Sequence, residues 1–237
     1  MRIVVTNCNT TQEMTEEIVR GARAAAGPGT TVAGLTPAWG PESAEGWLDS
    51  YLSAAAVLDT LRTYDGPPYD AVVMAGFGEH GREGVRELVD APVVDITEAA
   101  AHLACLLGRR YGVVTTLERS CGQIEDSLET AGVARNCAAI VGTGLNVLDL
   151  DDEERTETAF LAAAERACAA GAEVLVLGCA GMTGLQRVVG EKLGLPVVDG
   201  VAAAVKLAES LVALGLTTSR TGSYAEPLPK RRVWGRP

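Results

Sequence analysis

The sequence predicts an α/β protein of two pseudo-symmetric Rossmann-like lobes. Each lobe is a mostly parallel four-stranded sheet flanked by helices, and the active-site cleft lies between them. Three observations predict this. Short apolar, β-branched runs bounded by glycine alternate with longer alanine-rich stretches. Such runs fit strands buried on both faces, hence a parallel sheet. The second half of the chain repeats the first in the same order, which marks two copies of one supersecondary unit. Aromatic residues make up only 4% of the 237 residues while Ala, Gly and Val abound, so the core consists of small side chains that let strands and helices stack closely.

The elements follow in order. "RIVVTN" (2–7) is the first strand, and "TQEMTEEIVRGARAAAG" (11–27) is a helix that Thr10 or Thr11 can cap, with Glu13 in its first turn. "TVAGLTP" (31–37), "AVVMAG" (71–76) and "PVVDI" (92–96) complete the first sheet. "RYGVVTT" (110–116), "CAAIVG" (137–142), "EVLVLG" (173–178) and "PVVDG" (196–200) form the second.

The repeat pairs "IVVTNCNTT" (3–11) with "GVVTTLERS" (112–120), and "VVMAGFGEHG" (72–81) with "LVLGCAGMTG" (175–184). It also pairs "APVVDITEAAAHLACLLG" (91–108) with "LPVVDGVAAAVKLAESLVALG" (195–215). The lobes implied are 1–98 plus 205–237, and 99–204, with the helix 201–215 crossing back to the first lobe. Ligands of open α/β sheets bind beyond the carboxyl ends of the strands, so two facing lobes place their strand ends on opposite sides of one cleft.

Composition excludes several function classes. The net charge is −11, which argues against nucleic acid as a partner. The basic cluster "PKRRVWGR" (229–236) reads as a solvated tail. No run of 18 apolar residues exists, so no membrane span or membrane partner is expected, and "MRIVVTNCNTT" reads as a strand rather than a signal peptide. The six cysteines form no C-x-x-C pair, so free thiols in a reducing cytoplasm are expected. With only His80 and His102 available, no metal is expected. The expected partner is a small-molecule substrate, and no cofactor is called for.

The repeat sets Gly76 against Cys179. In a symmetric cleft these positions face each other across a bound molecule, where an enzyme inverting a carbon centre needs two bases. A thiol suits that work if a helix N-terminus and the N–H groups of a glycine turn lower its pKa. Cys179, at a strand end in a glycine turn, is the candidate acid/base. Its plain alternative is a buried structural cysteine. The other five read as packing residues, although Cys8 follows the first strand and is placed to touch the cleft.

The ordered set "TNCNTT" (6–11), "GPESAEG" (40–46), "GFGEHG" (76–81), "VVTT" (113–116), "LGCAGM" (177–182) and "GLPVVDGVAAA" (194–204) resembles the aspartate/glutamate/hydantoin racemase superfamily, and within it the hydantoin and allantoin racemases. The resemblance spans nearly the whole chain. It implies a cofactor-independent racemase or epimerase that exchanges a proton next to a carbonyl of a hydantoin-like or amino-acid-like substrate, assembled as a homo-oligomer. It departs at two motifs. The family's first catalytic motif resembles "CFGDPG" where this chain reads Gly76-Phe77-Gly78-Glu79-His80-Gly81, and its "NPNT" carries proline where this chain has Cys8.

Three readings follow. His80 or Glu79 replaces the missing base; imidazole is suited to proton exchange at neutral pH. Alternatively one thiol suffices, as in the cofactor-free arylmalonate decarboxylases. Or the cleft only binds. If the lost thiol limits the reaction, Gly76→Cys raises racemisation. The substrate is expected against Asn7, Gly76, Phe77, Gly78, Thr115, Thr116, Ala180 and Gly181, whose N–H groups and hydroxyls would hold a developing oxyanion. Thr183 is a further contact, and Ser43 and Glu45 shape one wall.

Several motifs have plainer readings. "GFGEHG" is literally G-x-G-x-x-G, but it lies on the third strand before a short helix, which argues against a dinucleotide site. Thr115 and Thr116 can cap a helix, and Asn7 and Asn9 can form Asx turns. His102 reads as a packed or capping residue. "LDLDDEERTE" (148–157) reads as the solvated start of a helix, because acidic side chains complement the helix dipole there.

Overall fold

Each apolar run becomes a strand in the computed structural model, which describes residues 1–150, 153–183 and 185–234. β1 (Arg2–Thr6), β2 (Thr31–Leu35), β3 (Ala71–Met74) and β4 (Val93–Asp95) pair in the order β2-β1-β3-β4. β5 (Tyr111–Thr115), β6 (Cys137–Gly142), β7 (Val174–Leu177) and β8 (Val197–Val198) pair in the order β6-β5-β7-β8. All pairings are parallel, so the sequence repeat is also a repeat of topology. β8 is shorter than its sequence run: Pro196 has no N–H to donate, and Asp199 leaves the sheet to cap a helix through Ala202 N–H.

Helices cover both faces of both sheets, as parallel sheets require. On the first sheet, α1 (Gln12–Ala25) lies on one face, and α2 (Trp47–Arg62) and α3 (Arg82–Leu88) lie on the other. On the second, α4 (Ile96–Leu107) and α5 (Cys121–Thr130) oppose α6 (Glu153–Ala169) and α7 (Gln186–Leu193). α6 opens at Glu153; residues 151–152 of the acidic run lie outside the described residues, as do Gly184 and 235–237. Thr11 precedes α1 but caps nothing with its side chain, because its hydroxyl donates to the carbonyl of Glu42. No described helix is long and apolar enough to cross a membrane.

Two helices join the halves. α4 follows β4 of the first sheet yet packs on β5, β7 and β8 of the second. α8 (Gly200–Ala213) follows β8 and packs on β3, β4 and α1. Equivalent aspartates start both helices: Asp95 accepts from Thr97 and Glu98 N–H, and Asp199 accepts from Ala202 N–H. Where the helices meet they bury Ala99, Ala100, Ala104, Ala203, Ala204 and Ala208. A Cβ at Gly200 would lie 2.9 Å from the Ile96 carbonyl oxygen, so glycine is what lets the helix starts cross. One core thus runs through both halves and fixes the two rows of strand ends relative to each other.

Candidate active site

The strand ends line a cleft, partly open to solvent, with about 430 Å3 of empty space that includes open solvent. From the first half, Asn7, Cys8, Gly76, Phe77 and His80 line it; from the second come Thr115, Thr116, Gln123, Cys179 and Ala180. Register explains why distant segments meet. Thr6 pairs with Met74 and Val114 with Leu177. Two residues further along, Cys8 and Gly76 leave adjacent strands at one level, and Thr116 and Cys179 do the same in the other sheet. Most of the residues expected to touch substrate are therefore brought together. Gly78, Glu79 and Gly181 are not part of the lining.

Cys179 reaches the cavity from a turn that begins directly after β7, with Ala180–Met182 forming a single 3-10 turn. The Gly181 N–H points at its sulfur and stabilises the thiolate. Burial outweighs that bond, and Glu45 adds repulsion, so the thiol is pushed up to about 11. This corrects the expectation of a depressed pKa. The element after Cys179 is one short turn rather than a helix, and a single N–H does not offset desolvation.

His80 is also in the lining, but its nitrogens face elsewhere. Nε2 lies 3.3 Å from the Phe77 carbonyl and Nδ1 lies 3.4 Å from Ser50 Oγ. Burial lowers its pKa to about 4, so the ring is neutral at pH 7 and presents a carbon edge towards Gly76. Glu79 faces away as well: its carboxylate accepts from Gly81 N–H at 2.7 Å and closes the turn into α3. Gly78 adopts φ +114° and donates its N–H to Thr97 Oγ1 at 2.8 Å, so that donor is not free for an oxyanion. It also leaves no phosphate cradle of the dinucleotide kind.

Asn7 follows the Asx-turn reading. Its amide nitrogen donates to Asn9 Oδ1, Thr15 Oγ1 and the Thr11 carbonyl, and its oxygen accepts from Asn9 N–H. It shapes the loop after β1 rather than offering a free polar atom. Thr115 likewise donates to the Gly178 carbonyl at 3.0 Å. Thr116 differs: its hydroxyl has no partner among the described residues, and it borders the cavity. Thr183 packs against Gly21 of α1. His102 is exposed and bonded to the carbonyl of Glu98 in its own helix. In the wall loop, Ala44 lines the cavity while Glu45 ties the halves together by accepting from Val147 N–H at 2.9 Å.

Sequence reasoning missed one residue and underweighted another. Gln123, on α5, is 1% exposed, lines the cavity, and its Oε1 has no hydrogen-bond partner among the described residues. A buried orphan carboxamide is costly unless a ligand supplies its partners. No motif marks it, because glutamine on an amphipathic helix is unremarkable in sequence. Cys8 is 8% exposed and borders the same cavity. A Cβ at Gly76 would stand 2.7 Å from Cys8 Cβ, 3.0 Å from Cys8 Sγ and 2.4 Å from His80 Cδ2. A thiol at position 76 would therefore have to displace Cys8 and His80, which already fill its space.

These features define a class: two-lobed α/β proteins that hold a thiol in a cavity between the strand ends of two parallel sheets. The Asp/Glu/hydantoin racemase family matches residues 3–208. Hydantoin racemase of Paenarthrobacter aurescens is 37% identical, over 98% of this chain and 99% of its own length. Allantoin racemase of Pseudomonas fluorescens is 52% identical with a TM-score of 0.96, covering 98% of this chain and all of that one (100%). Allantoin racemase of Klebsiella pneumoniae is 40% identical with a TM-score of 0.94, covering 98% and 96%. The chain belongs to the Asp/Glu/hydantoin racemase family, and it is a racemase-type isomerase. An arylmalonate decarboxylase, 16% identical with a TM-score of 0.61, shares the fold alone.

Proposed function

We propose that the protein interconverts the enantiomers of a small hydantoin-type ring, allantoin included, by cofactor-independent proton exchange at the carbon next to a ring carbonyl. Cys179 acts as acid and base on one face of that carbon. The observation that carries this reading is the cavity itself: a thiol at a strand end shares one lining with Thr116 and with the buried Gln123, whose carboxamide oxygen has no partner among the described residues. A hydantoin offers N–H donors and carbonyl acceptors along its edge. A carboxamide can pair with both, and a hydroxyl can donate to an enolate oxygen as charge develops there. The similarity to hydantoin and allantoin racemases supports the substrate class.

The test follows (R)- and (S)-5-isopropylhydantoin and (R)- and (S)-allantoin in deuterium oxide, by optical rotation and by loss of the proton signal at the chiral carbon. Inversion with deuterium uptake is the expected result. If no substrate of this class inverts or exchanges, the proposal fails. Gly76 favours a second reading, decarboxylation with one-face protonation by a single thiol. The same protein offered arylmalonates would then release carbon dioxide.

A further inference from the structure

We propose that Cys8 is the second catalytic thiol, working on the face of the substrate opposite Cys179 and replacing a side chain that Gly76 does not have. The inference rests on the racemase reading above and adds the residue that reading lacks.

The geometry carries it. Cys8 leaves β1 at the level where Gly76 leaves β3, because the two strands pair in register up to Thr6 and Met74. Adjacent strands lie about 4.8 Å apart, so a thiol moved by one strand still reaches the same end of the cavity. The first atom of any side chain at position 76 would fall 3.0 Å from Cys8 Sγ. Cys8 therefore occupies the room that a thiol on β3 would use. Cys8 comes from the first sheet and Cys179 from the second, and both line the one cavity. The other four cysteines are free, but none of them lines it.

The changes also form a set. Where the resembled motifs read "NPNT" and "CFGDPG", this chain places Cys8 and His80 at the two prolines. These are the side chains that fill the space over Gly76. Cys8 is pushed up to about 12, first by burial and next by the charge of Cys179. That mutual repulsion disfavours two thiolates, so the ionised pair holds one thiolate and one thiol.

The step balances in that state. The thiolate takes the proton from the chiral carbon, forming an S–H bond, while the C–H electron pair moves into the carbonyl to give an enolate. The other thiol gives its proton to the opposite face and becomes the thiolate. No electrons leave the system, and the reverse reaction starts from the swapped pair.

Cys8→Ser and Cys8→Ala separate this from every one-thiol scheme. Both are measured beside the wild type and Cys179→Ser, on each enantiomer of 5-isopropylhydantoin and allantoin, with thermal unfolding to confirm folding. We expect inversion to fall at least 100-fold in both Cys8 variants. Deuterium exchange should persist on the enantiomer whose proton faces Cys179, and Cys179→Ser should keep exchange on the other enantiomer. Inversion within threefold of wild type in folded Cys8→Ser and Cys8→Ala overturns the role of Cys8 and leaves the racemase reading standing. A wild-type protein that neither inverts nor exchanges these substrates removes that reading, and the inference with it.

Discussion

The turn after β3 and the turn after β7 hold equivalent places in the two lobes, yet they are built differently. After β7, Gly178 precedes Cys179, and a Cβ at Gly178 would lie 2.7 Å from the backbone oxygen of Val114. The strand end there is pressed against β5, and the thiol follows one residue later. After β3, Ala75 stands at the place equivalent to Gly178 and Gly76 at the place of Cys179. The crowding at Gly76 comes from side chains, Cys8 and His80, rather than from backbone. The lesson is that a pseudo-symmetric scaffold repeats its strand ends without repeating the side chains that stand on them.

That contrast can be broken most severely at the second turn. Cys179→Ala should lower kcat/KM for inversion by about 1,000-fold or more, since general acid–base groups typically contribute on the order of 10²–10⁴. Chiral chromatography of the reaction measures it, and near-normal turnover would remove Cys179 from the chemistry. Cys179→Ala should leave the melting temperature within a few degrees of wild type.

The pH profile comes next in size. The groups set around the thiols are Glu45 and the Gly181 N–H at Cys179, and Cys179 and Asp95 at Cys8. Burial and these negative charges raise both thiols, Cys179 to about 11 and Cys8 to about 12. In the proposed mechanism the thiolate is the base, and its fraction grows about tenfold per pH unit below those values. We expect log kcat/KM to climb with pH between 7 and 9, by up to about 100-fold. A profile falling over that range contradicts a thiolate base.

Gln123→Leu tests the ligand side of the cavity. Removing an orphan buried oxygen should leave the fold at least as stable. The loss should be in KM, by about tenfold, if the carboxamide pairs with the ring edge. An unchanged KM would mean the orphan serves no ligand.

The smallest effect sharpens the comparison itself. Gly76→Cys alone should destabilise the fold by about 1–3 kcal/mol, because the added side chain overpacks against Cys8 and His80, and it should not raise the inversion rate. Replacing the whole set, Cys8→Pro, Gly76→Cys and His80→Pro together, should recover both stability and turnover. Urea unfolding and the inversion assay read the two effects. If the single variant matches the triple one, the three positions are not coupled.

Much of this was legible in the residues. Eight apolar runs become eight parallel strands, and the repeated "PVVD" segments become the capped starts of α4 and α8. Cys179 falls at the cleft where its glycine turn suggested. α2 was harder to read, because Trp47, Leu48, Tyr51 and Leu52 lie exposed on it and blur any apolar stripe. What Glu79 and His80 contact is hidden from the sequence for a different reason. Proximity in sequence to Gly76 says nothing about which atoms a side chain finds first, and both found partners within their own loop or in α2.

By itself, then, the sequence determined the architecture, the lobe repeat and the place of Cys179 at a strand end, because hydrophobic patterning and glycine punctuation act over a few residues and recur in order. Only the tertiary structure decided that Cys8 stands over Gly76, that the Gln123 carboxamide oxygen is left without a partner among the described residues, and that burial raises the thiols rather than lowering them. Those outcomes depend on strand register and on desolvation by residues far apart in the chain, and no local pattern encodes either.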